Sequence, residues 1–177
     1  MVVIRKCEPS EFETIHRIVN EAAEAYKGII PEDRWREPYM STQELKGEMQ
    51  DGVIFWGGVA DGKLVGVMGI QDRGEVNLIR HAYVRTVAQH QGIGTKLLKH
   101  LESPGEKPIL VGTWADASWA IAFYQKNGYC LVTEKEKTKL LRKYWKIPER
   151  QVETSVVLAD KRWFTARNAE AAVNGCR

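Results

Sequence analysis

The stretch Gln89-His90-Gln91-Gly92-Ile93-Gly94 decides the fold of this chain. It follows an apolar run that ends at Val84 and opens a segment with apolar residues at helical spacing, namely Ile93, Leu97, Leu98 and Leu101. The first amides of a helix lack intrahelical partners, and the helix dipole adds partial positive charge at the same end. Glycines carry no Cβ and let an anion reach the backbone. The stretch therefore predicts a phosphate-binding loop.

Several classes of nucleotide-binding protein share such a loop. A P-loop would end in Gly-Lys-Ser/Thr, and a dinucleotide-binding fold would need a third glycine and a downstream acid in a parallel βαβ unit. Neither pattern follows Gln89. Gly92 and Gly94 by themselves fit a tight turn with close helix packing equally well. The loop alone leaves its ligand open.

Strand and helix patterns surround the loop in a definite order. The predicted strands are 2–4, 53–60, 63–71, 76–84, 108–113, 129–133 and 154–159, and the predicted helices lie at about 12–27, 42–49, 92–102, 118–127 and 134–145. Asp61-Gly62 is a strong hairpin signal between the second and third strands. From Lys161 onward the sequence has weak helical character at most. The order β-α-α-β-β-β-α-β-α-β-α-β indicates a mixed α/β sandwich around one central sheet.

Length and charge limit the classes of protein to consider. A chain of 177 residues that is 44% hydrophobic can bury one ordinary core, so we expect a single domain over residues 1–160 and a C-terminal tail at 161–177. The net charge of +3 comes from 26 basic and 23 acidic residues. This balance is too even for a nucleic-acid-binding surface, and we expect no nucleic-acid partner.

The cysteines and the N-terminus indicate the compartment. Cys7, Cys130 and Cys176 are odd in number and lack the spacing of a zinc site or a redox motif, so we interpret them as reduced thiols. Residues 1–6 pass from a short apolar run directly into charge, unlike a signal peptide. No stretch is apolar for long enough to span a bilayer. We expect a cytoplasmic protein without a membrane partner.

Two motifs together carry a family resemblance. Gln-x-x-Gly-x-Gly after Ala82-Tyr83-Val84 resembles the pyrophosphate-binding motif of the GNAT superfamily of N-acetyltransferases, and Ala120 to Tyr129 resembles its second signature, a helix ending in Tyr, polar residues, Gly and an aromatic. The resemblance is clear from residue 53 to 132, and the helix at about 134–147 looks like an insertion. It implies a central, mostly antiparallel sheet with splayed fourth and fifth strands and helices on both faces.

The resemblance also implies acetyl-CoA as co-substrate and no metal. The pyrophosphate of the cofactor lies on the motif loop in that family, so we assign this role by position to Gln89, His90, Gln91, Gly92, Ile93, Gly94 and Thr95. The pantetheine arm pairs in the family like an added strand with the end of the fourth strand, here Ala82, Tyr83 and Val84. The second motif often begins with an Asn that bonds this arm. The position is Ala117 here, where Asp116 or Ser118 could substitute.

Tyr124 is the candidate catalytic acid. It occupies the position from which the family's tyrosine hydroxyl reaches the cofactor sulfur, and a phenol with a pKa of about 10 can donate to a thiolate of similar basicity. Packing in the core is the alternative role for this ring. Cys130 is not expected to act as a nucleophile, because it falls inside a predicted buried strand.

The sequence does not identify the general base. Glu75 and His81 lie in or beside the predicted fourth strand, but its two-residue period puts His81 on the opposite face from Arg80 and Ala82. If the even positions face the cleft, Arg80 lines it and His81 does not. We therefore expect structural roles for Glu75 and His81, with water as the proton acceptor.

The resulting interpretation is an N-acetyltransferase that moves an acetyl group from acetyl-CoA to a primary amine by direct attack in a ternary complex. The alternatives are a non-catalytic acyl-CoA-binding regulatory module and a nucleotide-binding protein. The acceptor partner is a small-molecule amine or a peptide amine, and a homodimer stays open as the oligomeric state. Residues 27–39, whose Trp35 and Tyr39 would cover a pocket, and residues 134–150 are expected to shape the acceptor site.

Overall fold

The structure, a computed structural model, describes the backbone of residues 1–174 and the side chains of residues 1–168, so Cys176 lies outside the described residues. The strands are β1 Val2–Lys6, β2 Ile54–Ala60, β3 Lys63–Asp72, β4 Asn77–Val84, β5 Ile109–Trp114, β6 Cys130–Leu131 and β7 Ser155–Ala159. The helices are α1 Phe12–Ala23, α2 Thr42–Gln50, α3 Ile93–Glu102, α4 Ser118–Lys126, α5 Glu134–Tyr144, α6 Glu149–Glu153 and α7 Lys161–Asn174.

The strands follow the order β1-β2-β3-β4-β5-β7-β6 in one sheet, which confirms the mixed α/β class. The pairs β1/β2, β2/β3, β5/β7 and β6/β7 are antiparallel. The chain forms two compact units, a first of residues 1–72 and 79–105 and a second of residues 73–78 with residues from 106 onward. The splay between β4 and β5, and the single domain over 1–160, stay predictions.

The first unit packs helices on both faces of its strands, as expected. On one face Phe55 and Val67 join a core with Ile18 of α1 and Leu45 of α2, and all four side chains are almost completely buried. On the other face the Trp56 ring contacts the tilted ring of His100 of α3, with ring centroids 4.5 Å apart. Phe55 and Trp56 are sequence neighbours in β2, and successive residues of a strand point to opposite faces.

The second unit has its own core between its strands and α5. Leu141 and Trp145 pack on Gly112 of β5, where a Cβ would lie 3.3 Å from the indole ring. Lys137 of α5 is buried, with its Nζ 2.5 Å from Glu134 Oε1 and donating to the Val152 carbonyl at 3.0 Å. The helix predicted at about 134–147 is present as α5. It looked like an insertion in the sequence, and in the structure its buried side chains form part of the core of the second unit.

Two sequence-based expectations about the second unit are wrong. The segment from Lys161 forms the helix α7, which begins where the Asp160 carboxylate accepts hydrogen bonds from the amides of Arg162 at 3.1 Å and Trp163 at 3.4 Å. Trp163 and Phe164 then pack against the core of this unit. Cys130 is exposed, because β6 pairs with β7 over only two residues at the edge of the sheet.

Candidate active site

Strand β4 departs from the two-residue period at His81, whose φ of +52° lies in the left-handed region. Both Arg80 and His81 consequently reach the same carboxylate, with Arg80 Nη2 at 2.7 Å and His81 Nε2 at 3.1 Å from Glu48 Oε2. The expectation that these two side chains lie on opposite faces is wrong, because a regular alternation holds only for regular strand dihedrals. Gly69 of β3 lies against this irregularity, since a Cβ there would be 2.8 Å from the Arg80 carbonyl oxygen.

The contacts around Glu48 shift the pKa values of both His81 and Glu48. Burial lowers the pKa of His81 and the charge of Arg80 adds to this effect, while the hydrogen bond with Glu48 opposes it. Burial would raise the pKa of Glu48, but the hydrogen bond from His81 and the charge of Arg80 hold it below its usual value. Both pKa shifts favour an uncharged imidazole beside a charged carboxylate, with Nε2 of His81 3.1 Å from Oε2 of Glu48. Arg80 also donates to Gln71 Oε1 at 2.8 Å, which agrees with a structural role for this group.

Glu75 likewise has structural contacts. Its Oε2 accepts a hydrogen bond from Lys143 Nζ at 2.6 Å and one from the Tyr144 hydroxyl at 2.6 Å, all within the second unit. These two hydrogen bonds, that from Lys143 first, lower the pKa of Glu75. The carboxylate ties the chain before β4 to α5, in agreement with the role expected from the sequence.

The predicted phosphate loop joins β4 to α3 through a short 3-10 turn at Thr86–Ala88. The Gln89 side chain donates from Nε2 to the Val84 carbonyl at 3.3 Å, so it holds the loop to the end of the strand. Residues 89–92 and Thr95 are exposed, Gly94 is half-buried and Ile93 is buried. The seven residues predicted to bind the pyrophosphate thus form one continuous loop and helix start, and most of them are exposed.

The loop ends in a backbone conformation that suits an anion. Gly92, the residue before α3, has φ +73°, and His90 has φ +62°. The first helical hydrogen bond runs from the Lys96 amide to the Gly92 carbonyl at 3.0 Å. The amides of residues 93–95 therefore precede the repeating hydrogen bonds of the helix. The first turn carries no acidic side chain that would repel an anion. This arrangement is chemically able to bind phosphate.

Close packing fixes where this helix begins. Ile93 is 1% exposed, and its Cγ2 would lie 2.8 Å from a Cβ at Gly58 and 3.1 Å from one at Gly66. These two glycines are register partners in β2 and β3 and form a recess for the isoleucine. Sequence reasoning missed this pair, because its only signal is an isolated glycine in each strand pattern.

Tyr124 lies on α4 in the second unit and is 5% exposed. Its ring makes edge contacts with Phe123, at a centroid distance of 5.0 Å, and with Tyr129, at 5.7 Å. The helix ends as predicted near Gly128, whose φ is +91°. Ring packing and a chemical role for the hydroxyl are compatible in one residue, and the assignment of Tyr124 as catalytic acid stays a prediction.

An aromatic cluster, defined here as Tyr26, Trp35, Tyr39 and Tyr83, lies beside the end of β4 in the first unit. Tyr83 meets Tyr26 edge-on at 6.3 Å and Tyr39 at 6.4 Å, and Tyr39 lies 5.9 Å from Trp35. All four rings are half-buried. The sequence pointed to Trp35 and Tyr39 as a pocket cover but gave no reason to join them to Tyr83, which is distant in the chain.

Two further properties concern the described residues only. Residues 1–174 contain no helix long and apolar enough to cross a membrane. Among the side chains of residues 1–168, no three His, Cys, Asp or Glu are grouped so as to hold a metal ion.

A sequence profile for the acetyltransferase (GNAT) domain matches residues 12–142, so the chain belongs to the GNAT acetyltransferase family. No curated protein sequence matches significantly. A PaiA N-acetyltransferase from Thermoplasma acidophilum, solved in complex with coenzyme A, has a TM-score of 0.67 at 21% identity over 91% of this chain and 99% of its own. A GNAT family acetyltransferase from Staphylococcus aureus has a TM-score of 0.68 at 16% identity, over 90% of this chain and 98% of its own. The ribosomal-protein-S18-alanine N-acetyltransferase of Escherichia coli has a TM-score of 0.64 at 18% identity, over 90% of this chain and 93% of its own.

Proposed function

We propose that this protein transfers an acetyl group from acetyl-CoA to a primary amine by direct attack in a ternary complex. The observation that carries the proposal is the exposed loop at residues 89–95, where a left-handed Gly92 opens α3 and the first amides precede the helical ladder. Membership of the GNAT family supports coenzyme A as the ligand whose phosphate groups bind this loop. A similar fold solved with coenzyme A bound is consistent with that choice.

The cofactor's pyrophosphate lies, in this proposal, on the amides of residues 89–95, where the helix dipole and the lack of a Cβ at Gly92 favour an anion. The pantetheine arm pairs with the backbone of Ala82, Tyr83 and Val84 as an added strand. Gln89 stabilises this arrangement indirectly, because its side chain binds the Val84 carbonyl. No metal is needed, since backbone amides supply the positive partial charges.

The reaction forms a nitrogen–carbon bond between the neutral amine and the thioester carbonyl and breaks the carbon–sulfur bond. The amine proton leaves to water, and the coenzyme A thiolate takes a proton from the Tyr124 hydroxyl. No covalent enzyme intermediate is required. The scheme keeps Glu48 and His81 in structural roles, because the same carboxylate is also ion-paired with Arg80, which donates to Gln71.

The first experiment measures thiol release from acetyl-CoA with a panel of primary amines. We expect amine-dependent release, whereas binding of coenzyme A with no release for any amine would favour a non-catalytic acyl-CoA-binding module. A thermal-shift comparison tests the ligand itself, because a bound ligand stabilises the folded state by mass action. Stabilisation by ATP but not by coenzyme A would contradict the proposal and favour a nucleotide-binding protein.

Tyr124→Phe tests the acid. A general acid contributes about 100-fold or more, so we expect kcat at saturating substrates to fall by about that factor. Tyr129→Phe is the matched control, because it removes one hydroxyl from the ring packed on Tyr124 and is buried to a similar degree. Equal kcat values for the two variants would remove Tyr124 from the mechanism.

A further inference from the structure

The aromatic cluster already binds an ammonium group of this chain. Lys27 Nζ lies 6.0 Å from the centroid of the Trp35 ring and 2.6 Å from Glu37 Oε1. The Trp35 indole Nε1 donates to the same carboxylate oxygen at 3.2 Å. A ring face and a carboxylate therefore hold one primary ammonium between them, which is the arrangement that recognises alkylammonium ligands.

The ammonium of Lys27 is held at the surface. The side chains of Lys27 and Glu37 are 57% and 59% exposed. Exposed ion pairs of this kind contribute little to folding, because the charges are well solvated and the long side chain loses freedom when it is held. A competing ammonium can therefore replace Lys27 without disrupting the fold. The carboxylate stays fixed for it by the indole hydrogen bond.

The cluster connects this ammonium position to the proposed acyl site. Tyr83 contributes its backbone to the stretch where we place the pantetheine arm, and its ring contacts Tyr39. Tyr39 in turn lies against Trp35. These half-buried rings contact one another in sequence from Tyr83, at the end of β4, to Trp35, which donates to Glu37. Such rings offer apolar contact to the alkyl stem of an ammonium ligand.

We propose that Trp35 and Glu37 form a subsite for a second, non-reacting primary alkylammonium group of the acceptor, and that Lys27 occupies this subsite when the acceptor is absent. The inference rests on the proposed acetyl transfer and names the acceptor class for it. The acceptor carries a reacting primary amine, directed toward Tyr83, and a second primary ammonium at the end of an alkyl chain. Free alkyl diamines and peptides with a lysine beside a free N-terminal amine share this chemistry.

The test compares acceptors that differ only in the second ammonium. 1,5-Diaminopentane is compared with 1-aminopentane, and a short peptide with a free N-terminal amine and lysine in second place is compared with its norleucine counterpart. We expect the cationic member of at least one pair to have an acceptor KM lower by about two- to fivefold, the size of one cation–π contact at an exposed site. The pair that shows the difference identifies the source of the ammonium.

The variants shift this discrimination in opposite directions. Trp35→Leu and Glu37→Gln should reduce the preference for the cationic acceptor to about one, whereas Lys27→Met should lower its KM several-fold because the competing ammonium is gone. Lys46→Met is the matched control, since Lys46 Nζ also lies over a ring, 5.8 Å from the Phe12 centroid, outside the cluster. It should leave the acceptor KM unchanged.

Calorimetry separates this inference from the proposed function. Titration of the coenzyme A complex with 1,5-diaminopentane reports ammonium binding without turnover, so it tests the subsite even if no amine is acetylated. Equal KM values within both acceptor pairs, or an unchanged or raised KM in Lys27→Met, would overturn the inference while leaving acetyl transfer intact. Glu37→Gln changes an exposed side chain and keeps the test valid if Trp35→Leu fails to fold.

Discussion

Gly92→Ala is the sharpest test of the phosphate loop. Gly92 has φ +73°, and a Cβ added there would meet no atom within 4 Å. The substitution therefore adds no clash, and its whole effect is the cost of a left-handed conformation, about 1–2 kcal/mol for a residue with a Cβ. If the loop relieves this strain by leaving the anion-binding conformation, the Kd for coenzyme A rises by about five- to thirtyfold.

Gly62→Ala is its matched control. Gly62 lies in the turn between β2 and β3, also has φ +73°, and also has open space where a Cβ would be. Gly62→Ala should lose stability in urea unfolding and keep its affinity for coenzyme A, whereas Gly92→Ala should weaken coenzyme A binding in isothermal titration calorimetry. The assignment of the loop would be refuted by an unchanged Kd in Gly92→Ala or by an equal rise in Gly62→Ala.

Two further predictions concern stability. Leu97→Ala in α3, at a fully buried position, should lower the free energy of unfolding by about 2–5 kcal/mol in urea titrations, whereas Lys96→Ala on the exposed side should change it by less than about 0.5 kcal/mol. The folded pKa of His81 lies below its unfolded value of about 6.5, so the unfolded state takes up the proton first as the pH falls. The stability that His81 contributes is present above about pH 6.5 and is lost as the pH falls toward its folded pKa. His81→Gln should therefore reduce the loss of unfolding free energy with falling pH. The same pH dependence of stability in this variant and the original protein would assign the titration to another group.

Strands and helices were predictable wherever the hydrophobic period was strong. The helix from Ile93 and the Asp61-Gly62 hairpin follow from local pattern, and both are present in the structure. The helix α7 was missed because its apolar residues show little helical period. Trp163 and Phe164 gain their stability from packing on the second core, which local sequence does not report.

The predicted alternation of side chains between the two faces of β4 was wrong for a different reason. A period of two holds only while each residue keeps extended dihedrals, and His81 adopts φ +52°. The partner that draws Arg80 and His81 together is Glu48, more than thirty positions earlier in the chain. Such a long-range carboxylate has no signature in the strand pattern itself.

The sequence by itself determined the glycine loop before α3 and predicted that it binds phosphate, because the signal is local: glycines at the start of an amphipathic helix, shortly after a strand. It also determined the family, through two motifs in order. Only the tertiary structure decided how Ile93 packs on Gly58 and Gly66, and which aromatic rings surround the Lys27 ammonium. Those features join residues far apart in the chain, and their proximity depends on how the strands and helices pack.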